Sequence, residues 1–161
     1  MKKSLKFLTM IAIATLVSCG GGDKKKEEPG YGKKEPVKTE KKEPASKRIE
    51  LSNKGVGPIT SVTLAAEINQ EMAKHGMDVY TKMCTACHKA DKKFIGPAPT
   101  GILSRRSPEW VMNMILNPEE MIKQDPLAQD LLLEFNGAPM ANQHLTEEEA
   151  RAVLEYFRTL K

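Results

Sequence analysis

One short stretch of the sequence, Cys84-Thr-Ala-Cys87-His88, brings two thiols and an imidazole together. Two cysteines three residues apart can each add to a vinyl group on one edge of a haem. The histidine that follows can then coordinate the iron as an axial ligand. This spacing is typical of c-type haem attachment. The sequence therefore predicts one covalently bound haem c, held by Cys84 and Cys87 with His88 on the iron.

Two other chemistries also use closely spaced cysteines. A redox-active pair would follow a strand in a βαβ unit, whereas a helical pattern precedes Cys84. A structural zinc site would need a fourth ligand at a suitable spacing. The remaining histidines, His75 and His144, are poorly placed to supply it. The sequence therefore favours haem attachment. Zinc binding and dithiol chemistry are the alternatives.

The elements that must position this motif are helical. Apolar residues recur with the period of an α-helix from about Asn69 to Met83, directly before the first cysteine. Thr146 and Glu149 form a capping-box pattern that predicts the start of the last helix. No segment alternates strongly enough to predict a strand, and aromatic residues make up only 5% of the chain. The expected class is all-α.

Further helices are expected between these two. Ser107 followed by Pro108 is typical of a helix start, with the hydroxyl as the cap and proline in the first position. Glu119 lies in a further short turn, and Asp125 precedes another proline and another apolar run. The sequence therefore predicts four to five short helices in all, around one covalently bound haem.

The first 18 residues have the pattern of an export signal. Three lysines precede an apolar run over residues 7–17, which is too short to span a bilayer core of about 30 Å. Cys19 follows Leu16-Val17-Ser18, which resembles the lipobox of bacterial lipoproteins. The resemblance implies cleavage before Cys19 and lipidation of its thiol. Residues 1–18 are thus the predicted signal peptide, and the lipid is the predicted membrane anchor.

The next segment, residues 19–54, is predicted to be a disordered linker. It is rich in lysine, glutamate and proline, and its apolar residues are too few to offset the entropy lost on ordering. The predicted haem domain, residues 55–161, has eleven basic and fourteen acidic residues. The formal net charge of +4 therefore comes from the signal and the linker, and we expect no nucleic-acid partner.

From about residue 69 to the end, the chain resembles the class I monohaem cytochromes c. Gly76 and Tyr80 match the small residue and the aromatic that let the first helix of that family cross the last. The Gly-Pro pair that ends at Pro97 matches the one that follows the family's haem motif. The resemblance implies a small cytochrome c fold, with the Pro97 carbonyl accepting a hydrogen bond from the His88 ring.

The resemblance also implies the sixth ligand of the iron. Met140 lies in an Asn-Gly-Ala-Pro-Met loop shortly before the last helix, where the family has its axial methionine. Many relatives have proline after the methionine, whereas Ala141 follows here. The other candidate for the sixth ligand is His144. If His144 does not bind the iron, we expect it to be a surface residue.

Arg105, Arg106 and Trp110 are candidates to contact the haem propionates. Arginine pairs well with carboxylates, and a buried indole N–H needs an acceptor. Family members often use residues near this region in that way. The alternative is a solvated arginine pair and a tryptophan of the core.

With both axial positions filled by protein, the expected function is electron transfer and not catalysis. The predicted protein is a periplasmic-side electron carrier tethered to a membrane of the cell envelope, which docks transiently and electrostatically with redox partner proteins. The haem motif is flanked by a basic patch that suits an acidic partner, formed by Lys82, Lys89, Lys92 and Lys93. The alternative is that these are ordinary solvated lysines. The expected electron acceptor is a respiratory terminal enzyme, such as a nitrous-oxide reductase or a haem oxidase. The alternative function is a haem sensor or enzyme with a displaceable sixth ligand.

Overall fold

Five helices make up the regular structure of this protein, in a computed structural model that describes residues 43–161. They are α1 (Gln70–Met83), α2 (Pro108–Leu116), α3 (Pro118–Gln124), α4 (Pro126–Glu134) and α5 (Glu147–Thr159), with a 3₁₀ turn at Ile102–Ser104. Over the described residues the only strand-like feature is a single bridge between Glu50 and Arg106. The predicted all-α class is confirmed. The predicted signal peptide, Cys19 and the linker as far as residue 42 lie outside the described residues.

Four of the helices begin at side chains that cap them. Asn69, Ser107 and Asp125 each accept a hydrogen bond from a backbone N–H of the first turn of α1, α2 and α4. Thr146 and Glu149 form the reciprocal capping box at the start of α5. Each cap binds an N–H group that the helix itself leaves unpaired. The helix starts predicted from the sequence are confirmed.

The first and last helices cross where α1 has a glycine. A Cβ at Gly76 would overlap the backbone carbonyl of Ala152, so only glycine allows α1 and α5 to approach this closely. One turn further along α1, the ring of Tyr80 packs on the rings of Tyr156 and Phe157, with centroids 5.4 and 5.7 Å away. This crossing fixes the end of α1, from which the haem motif continues.

A long segment without regular structure precedes α1 and packs on the other helices. Asn113 of α2, which is 1% exposed, holds it in place. Its side-chain amide donates to the carbonyls of Lys54 and Ile59, and its oxygen accepts from the N–H of Ile59. The polar groups of this irregular backbone are thus satisfied inside the domain.

The predicted boundary between linker and domain is wrong. The linker was expected to extend from residue 19 to residue 54, but residues 43–54 belong to the folded domain. Ala45 is 5% exposed, and the buried guanidinium of Arg106 donates to the carbonyls of Ala45 and Arg48. The composition of this stretch is that of a linker, yet its backbone is ordered by a side chain 58 residues further along the chain.

A buried carboxylate of α5 binds the backbone at the start of α1. Glu155, 1% exposed, accepts hydrogen bonds from Arg151, from Arg158 and from the backbone N–H of Asn69. Burial by itself would raise the pKa of Glu155. The hydrogen bonds and the two positive charges outweigh that effect and hold this pKa below its ordinary value of 4.5.

We expect Glu155→Gln to destabilise the domain in a pH-dependent way. Because the pKa is lower in the folded state, the carboxylate stabilises the fold above about pH 4.5, and this contribution is lost as the pH falls through the lowered value. Glu155→Gln should lower the free energy of unfolding by about 2 kcal/mol near neutral pH. Denaturant unfolding at about pH 7 and about pH 3 measures the change.

The matched control is Glu148→Gln on the exposed side of the same helix, which should leave stability nearly unchanged at both pH values. An equal loss for Glu155→Gln at neutral and acid pH would show that its charge does not stabilise the fold.

Candidate haem-binding site

The Cys-x-x-Cys-His motif forms a tight turn at the end of α1. The N–H of Cys84 still donates to the carbonyl of Tyr80, at 2.9 Å, as the last bond of the helix. The N–H groups of Cys87 and His88 then both donate to the carbonyl of Cys84, at 3.0 and 2.9 Å. This turn keeps the two thiols and the imidazole in one small region of the protein.

The ring of His88 is held by the loop that follows the motif. Its Nδ1 lies 2.8 Å from the carbonyl oxygen of Pro97, which is the contact that the resemblance implied. A proton shared at Nδ1 leaves the lone pair of Nε2 for a metal. Gly96 lies against the same ring, and a Cβ there would overlap it. Glycine at this position is therefore needed for the orientation of His88.

A cavity of about 650 Å³ adjoins this turn, and Cys84, Cys87 and His88 line it. Its walls are mainly apolar, with side chains such as Met114, Ile122, Leu131 and Phe135. Cofactor pockets are typically about 300–1,000 Å³ in volume, largely apolar, with a few polar groups that fix orientation. The cavity has these properties.

Met140 lines the same cavity and His144 does not. Met140 is half-buried and packs against the core. His144 is exposed and lies in the left-handed region, with a φ of 53°, and its N–H donates to the side-chain oxygen of Asn142. Of the two candidates for the sixth ligand, only Met140 lines the cavity that His88 also lines.

The environment of the two thiols differs from that of a redox-active pair. Burial, with a smaller contribution from the neighbouring Cys87, raises the pKa of the Cys84 thiol to about 11. Disulfide oxidoreductases instead lower the pKa of the attacking thiol. Among residues 43–161 no three His, Cys, Asp or Glu side chains cluster as a zinc site would require. Both observations weigh against the dithiol and zinc alternatives.

Two of the three candidates for a propionate contact already have hydrogen-bond partners within the protein. Trp110 lines the cavity, but its indole N–H donates to Asp125 at 3.2 Å. Both terminal nitrogens of Arg106 donate to backbone carbonyls, and its guanidinium lies 5.3 Å from the centre of the Trp110 ring. Arg106 therefore acts as a clamp on the backbone. Asp125, which ends up as the acceptor, is 15 residues from Trp110, and the sequence carried no signal for this pairing.

Arg105 keeps a free donor. Its terminal nitrogens donate to the carbonyls of Thr100 and Gly101, but its buried Nε has no hydrogen-bond partner among the described residues. Arg105 and Arg106 both line the cavity, and the Nε of Arg106 likewise lacks a partner in the described part of the chain. Unpaired cationic donors suit a group that brings carboxylates, as the propionates of haem do.

Two cavity-lining residues, Ser46 and Lys47, were missed by the sequence reasoning. Both fall in the stretch that composition assigned to the linker. Only the packing of this segment on the domain places them at the cavity.

Comparisons with known proteins agree with this site. A cytochrome c family profile matches residues 73–161. A solved cytochrome c from Rhodothermus marinus is 41% identical, with a TM-score of 0.63, over 65% of this chain and 89% of that one. Two structures of an engineered form, Rma TDE, are 40% identical over 65% of this chain and 90% and 89% of theirs, with TM-scores of 0.62 and 0.60. One of them is bound to a carbene intermediate. No match was found among curated proteins.

The residues present fit a haem c. The cavity offers two thiols at the attachment spacing, a histidine oriented through Nδ1, a methionine thioether, apolar walls and an unpaired arginine donor. The family profile covers more than half of the chain. This protein is therefore a member of the cytochrome c family, with the family's all-α fold, a covalent haem c for which Cys84 and Cys87 fit the attachment motif, and haem-based electron transfer as its function.

Proposed function

We propose that this protein is a membrane-tethered electron carrier whose haem iron has His88 and Met140 as axial ligands. The observation that carries the proposal is that both side chains line one cavity beside Cys84 and Cys87, whereas His144 lies outside it. Imidazole and thioether together are the ligand pair of many cytochromes c, in which methionine raises the reduction potential. With both axial positions filled, no substrate reaches the iron.

The haem, when bound, supplies one reversible electron at its iron. The chain holds and orients it. The Pro97 carbonyl fixes the ring of His88 and increases the basicity of its Nε2. The apolar walls limit water around the iron, which disfavours the more highly charged ferric state. The same side chains thus serve attachment, orientation and adjustment of the potential.

Lysines surround the motif as a docking patch, defined here as Lys82, Lys89, Lys92 and Lys93. Lys82 and Lys92 are exposed, and the Nζ of Lys93 lies 4.4 Å from the centre of the Phe135 ring, which lines the haem cavity. Exposed apolar side chains, Phe94 and Ile95, accompany them. A positive rim around an apolar centre favours transient docking with an acidic partner.

Charge reversal in this patch tests whether electrons enter and leave there. In the reduced holoprotein, Lys82→Glu combined with Lys92→Glu should slow oxidation by the anion ferricyanide about tenfold at low salt. The same variant should be oxidised faster by a cationic cobalt complex. Stopped-flow absorption of the haem measures both rates, and high salt should reduce both differences.

The control is a variant with the same change in net charge elsewhere on the surface. Lys74→Glu combined with Lys123→Glu alters two exposed lysines that are not part of the docking patch and should change both rates much less. Equal effects of the two double variants would place the site of electron exchange away from the patch.

The proposed tether is the segment before the domain. It rests on the apolar run over residues 7–17, the lipobox-like sequence before Cys19 and the charged, proline-rich stretch that follows. None of the helices within residues 43–161 is long and apolar enough to cross a membrane. We propose a lipid at Cys19 and a haem domain on the periplasmic side of the cell envelope. A respiratory terminal enzyme, such as nitrous-oxide reductase or a haem oxidase, is the proposed class of partner.

A haem sensor or enzyme with a displaceable sixth ligand is the second candidate. The observation that favours it is the engineered relative from Rhodothermus marinus that is bound to a carbene intermediate. Ready binding of carbon monoxide by the reduced wild-type protein would support this second function, since a carrier with a firm Met140 ligand would resist it.

A further inference from the structure

A piece of chain that precedes the family match takes part in the haem cavity. The cytochrome c profile begins at residue 73, yet Ser46 and Lys47 line the same cavity as Cys84 and His88. The segment that contains them, residues 44–50, is called the strap below. The strap is therefore placed to contact the haem.

Contacts on both sides of Lys47 hold the strap. Ser46 donates to the carboxylate of Glu134 through its N–H and its hydroxyl, at 2.8 and 2.5 Å. The guanidinium of Arg106 binds the carbonyls of Ala45 and Arg48. Since Arg106 is 1% exposed, the strap is attached to a rigid part of the core. Lys47 therefore has a fixed backbone and a free side chain at the cavity.

The charges of the cavity are unbalanced. Four cations line it, Lys47, Lys93, Arg105 and Arg106, against the single carboxylate of Asp91. Lys93 donates to a backbone carbonyl and lies over an aromatic ring, and the terminal nitrogens of both arginines are bound to carbonyls. The Lys47 side chain makes no ion pair or hydrogen bond with any residue from 43 to 161. Lys47 is the cation without a partner.

A haem c brings two propionate carboxylates, and partly buried carboxylates require cationic or hydrogen-bonding partners. We propose that Lys47 is a charge partner of a haem propionate, so that the strap completes the haem site from outside the family domain. The inference rests on haem c binding and goes beyond the proposed carrier function. Arg105, through its unpaired Nε, is placed to assist.

Removing the Lys47 charge should have two effects. The propionate that loses its partner makes the haem surroundings more negative, which stabilises ferric iron and lowers the midpoint potential. The loss of a hydrogen bond should also shift the propionate bending band in the resonance Raman spectrum. Lys47 is exposed but lines the cavity, so the proposed pair is a direct contact much shorter than a Debye length. Salt should therefore screen this change in potential less than it screens the effect of a charge that makes no contact with the haem.

The experiment compares Lys47→Ala, Lys47→Arg and Lys92→Ala in the full-length holoprotein. Lys92 is an exposed lysine beside the haem motif that does not line the cavity, so it controls for a lysine charge that makes no contact with a propionate. Lys47→Ala should lower the potential at low and at high salt and shift the propionate band. Lys47→Arg should preserve both properties, and the effect of Lys92→Ala on the potential should disappear at high salt.

The proposal is overturned if Lys47→Ala leaves the propionate band unchanged, or if its potential responds to salt as that of Lys92→Ala does. The absorption band that reports the methionine-iron bond is recorded on the same samples. Its persistence in Lys47→Ala would show that a negative result concerns the strap and leaves the axial ligands of the carrier intact.

Discussion

Met140→Ala should convert this protein from one with a closed haem iron into one with an open iron. The weak long-wavelength band from sulfur to ferric iron should disappear, the reduced protein should bind carbon monoxide, and the midpoint potential should fall. The reason is that Met140 is the thioether of the loop before α5 that lines the haem cavity, and loss of a thioether ligand removes its preference for ferrous iron. Absorption spectroscopy and a redox titration measure all three effects.

Met114 provides a matched control, because it is a second methionine that lines the same cavity. Met114→Leu keeps the volume of a core side chain and should leave the sulfur-to-iron band in place. His144→Ala should also leave the spectrum unchanged. Survival of the band in Met140→Ala, or its loss in Met114→Leu, would assign the sixth ligand to another side chain.

Gly76→Ala should be among the most destabilising single changes in the domain. A methyl group at this position would overlap the carbonyl of Ala152 in the opposite helix, and backbone atoms cannot move aside as a flexible side chain can. We expect a loss of about 3 kcal/mol or more in the free energy of unfolding. The loss arises even though alanine favours an isolated helix by about 1 kcal/mol over glycine. Denaturant unfolding of the ferric holoprotein measures it.

Gly137→Ala is the control for this prediction. Gly137 has a φ of 73°, but a Cβ there would meet no atom within 4 Å. Its substitution should cost only the left-handed strain, about 1 kcal/mol. If Gly76→Ala proves as stable as Gly137→Ala, then α1 and α5 can separate without loss and the crossing is not what requires glycine.

Local patterns predicted the helices well because each start depends on neighbouring residues. A cap such as Asn69 or Thr146 binds N–H groups two or three positions ahead, so the signal and its partner lie within one turn. The same holds for the haem motif, where Cys84, Cys87 and His88 are joined by a single turn.

Composition failed where distant contacts order the chain. Residues 43–54 have the charges and prolines of a linker, yet Arg106 and Glu134 bind their backbone and side chains from 58 to 88 positions away. Trp110 was a reasonable candidate for a propionate contact, but Asp125 binds its indole N–H. Neither partner has a fixed spacing, so no pattern in the sequence could reveal it.

The sequence by itself determined the attachment chemistry, the all-α class and the helix starts, because these depend on residue types at short, fixed spacings. Only the tertiary structure decided which of Met140 and His144 lies in the haem cavity, which nitrogens of Arg105 and Arg106 are already paired, and that a strap before the family domain reaches the cavity. Those outcomes depend on which surfaces pack together and which polar groups are already paired, and both are settled only when distant segments meet.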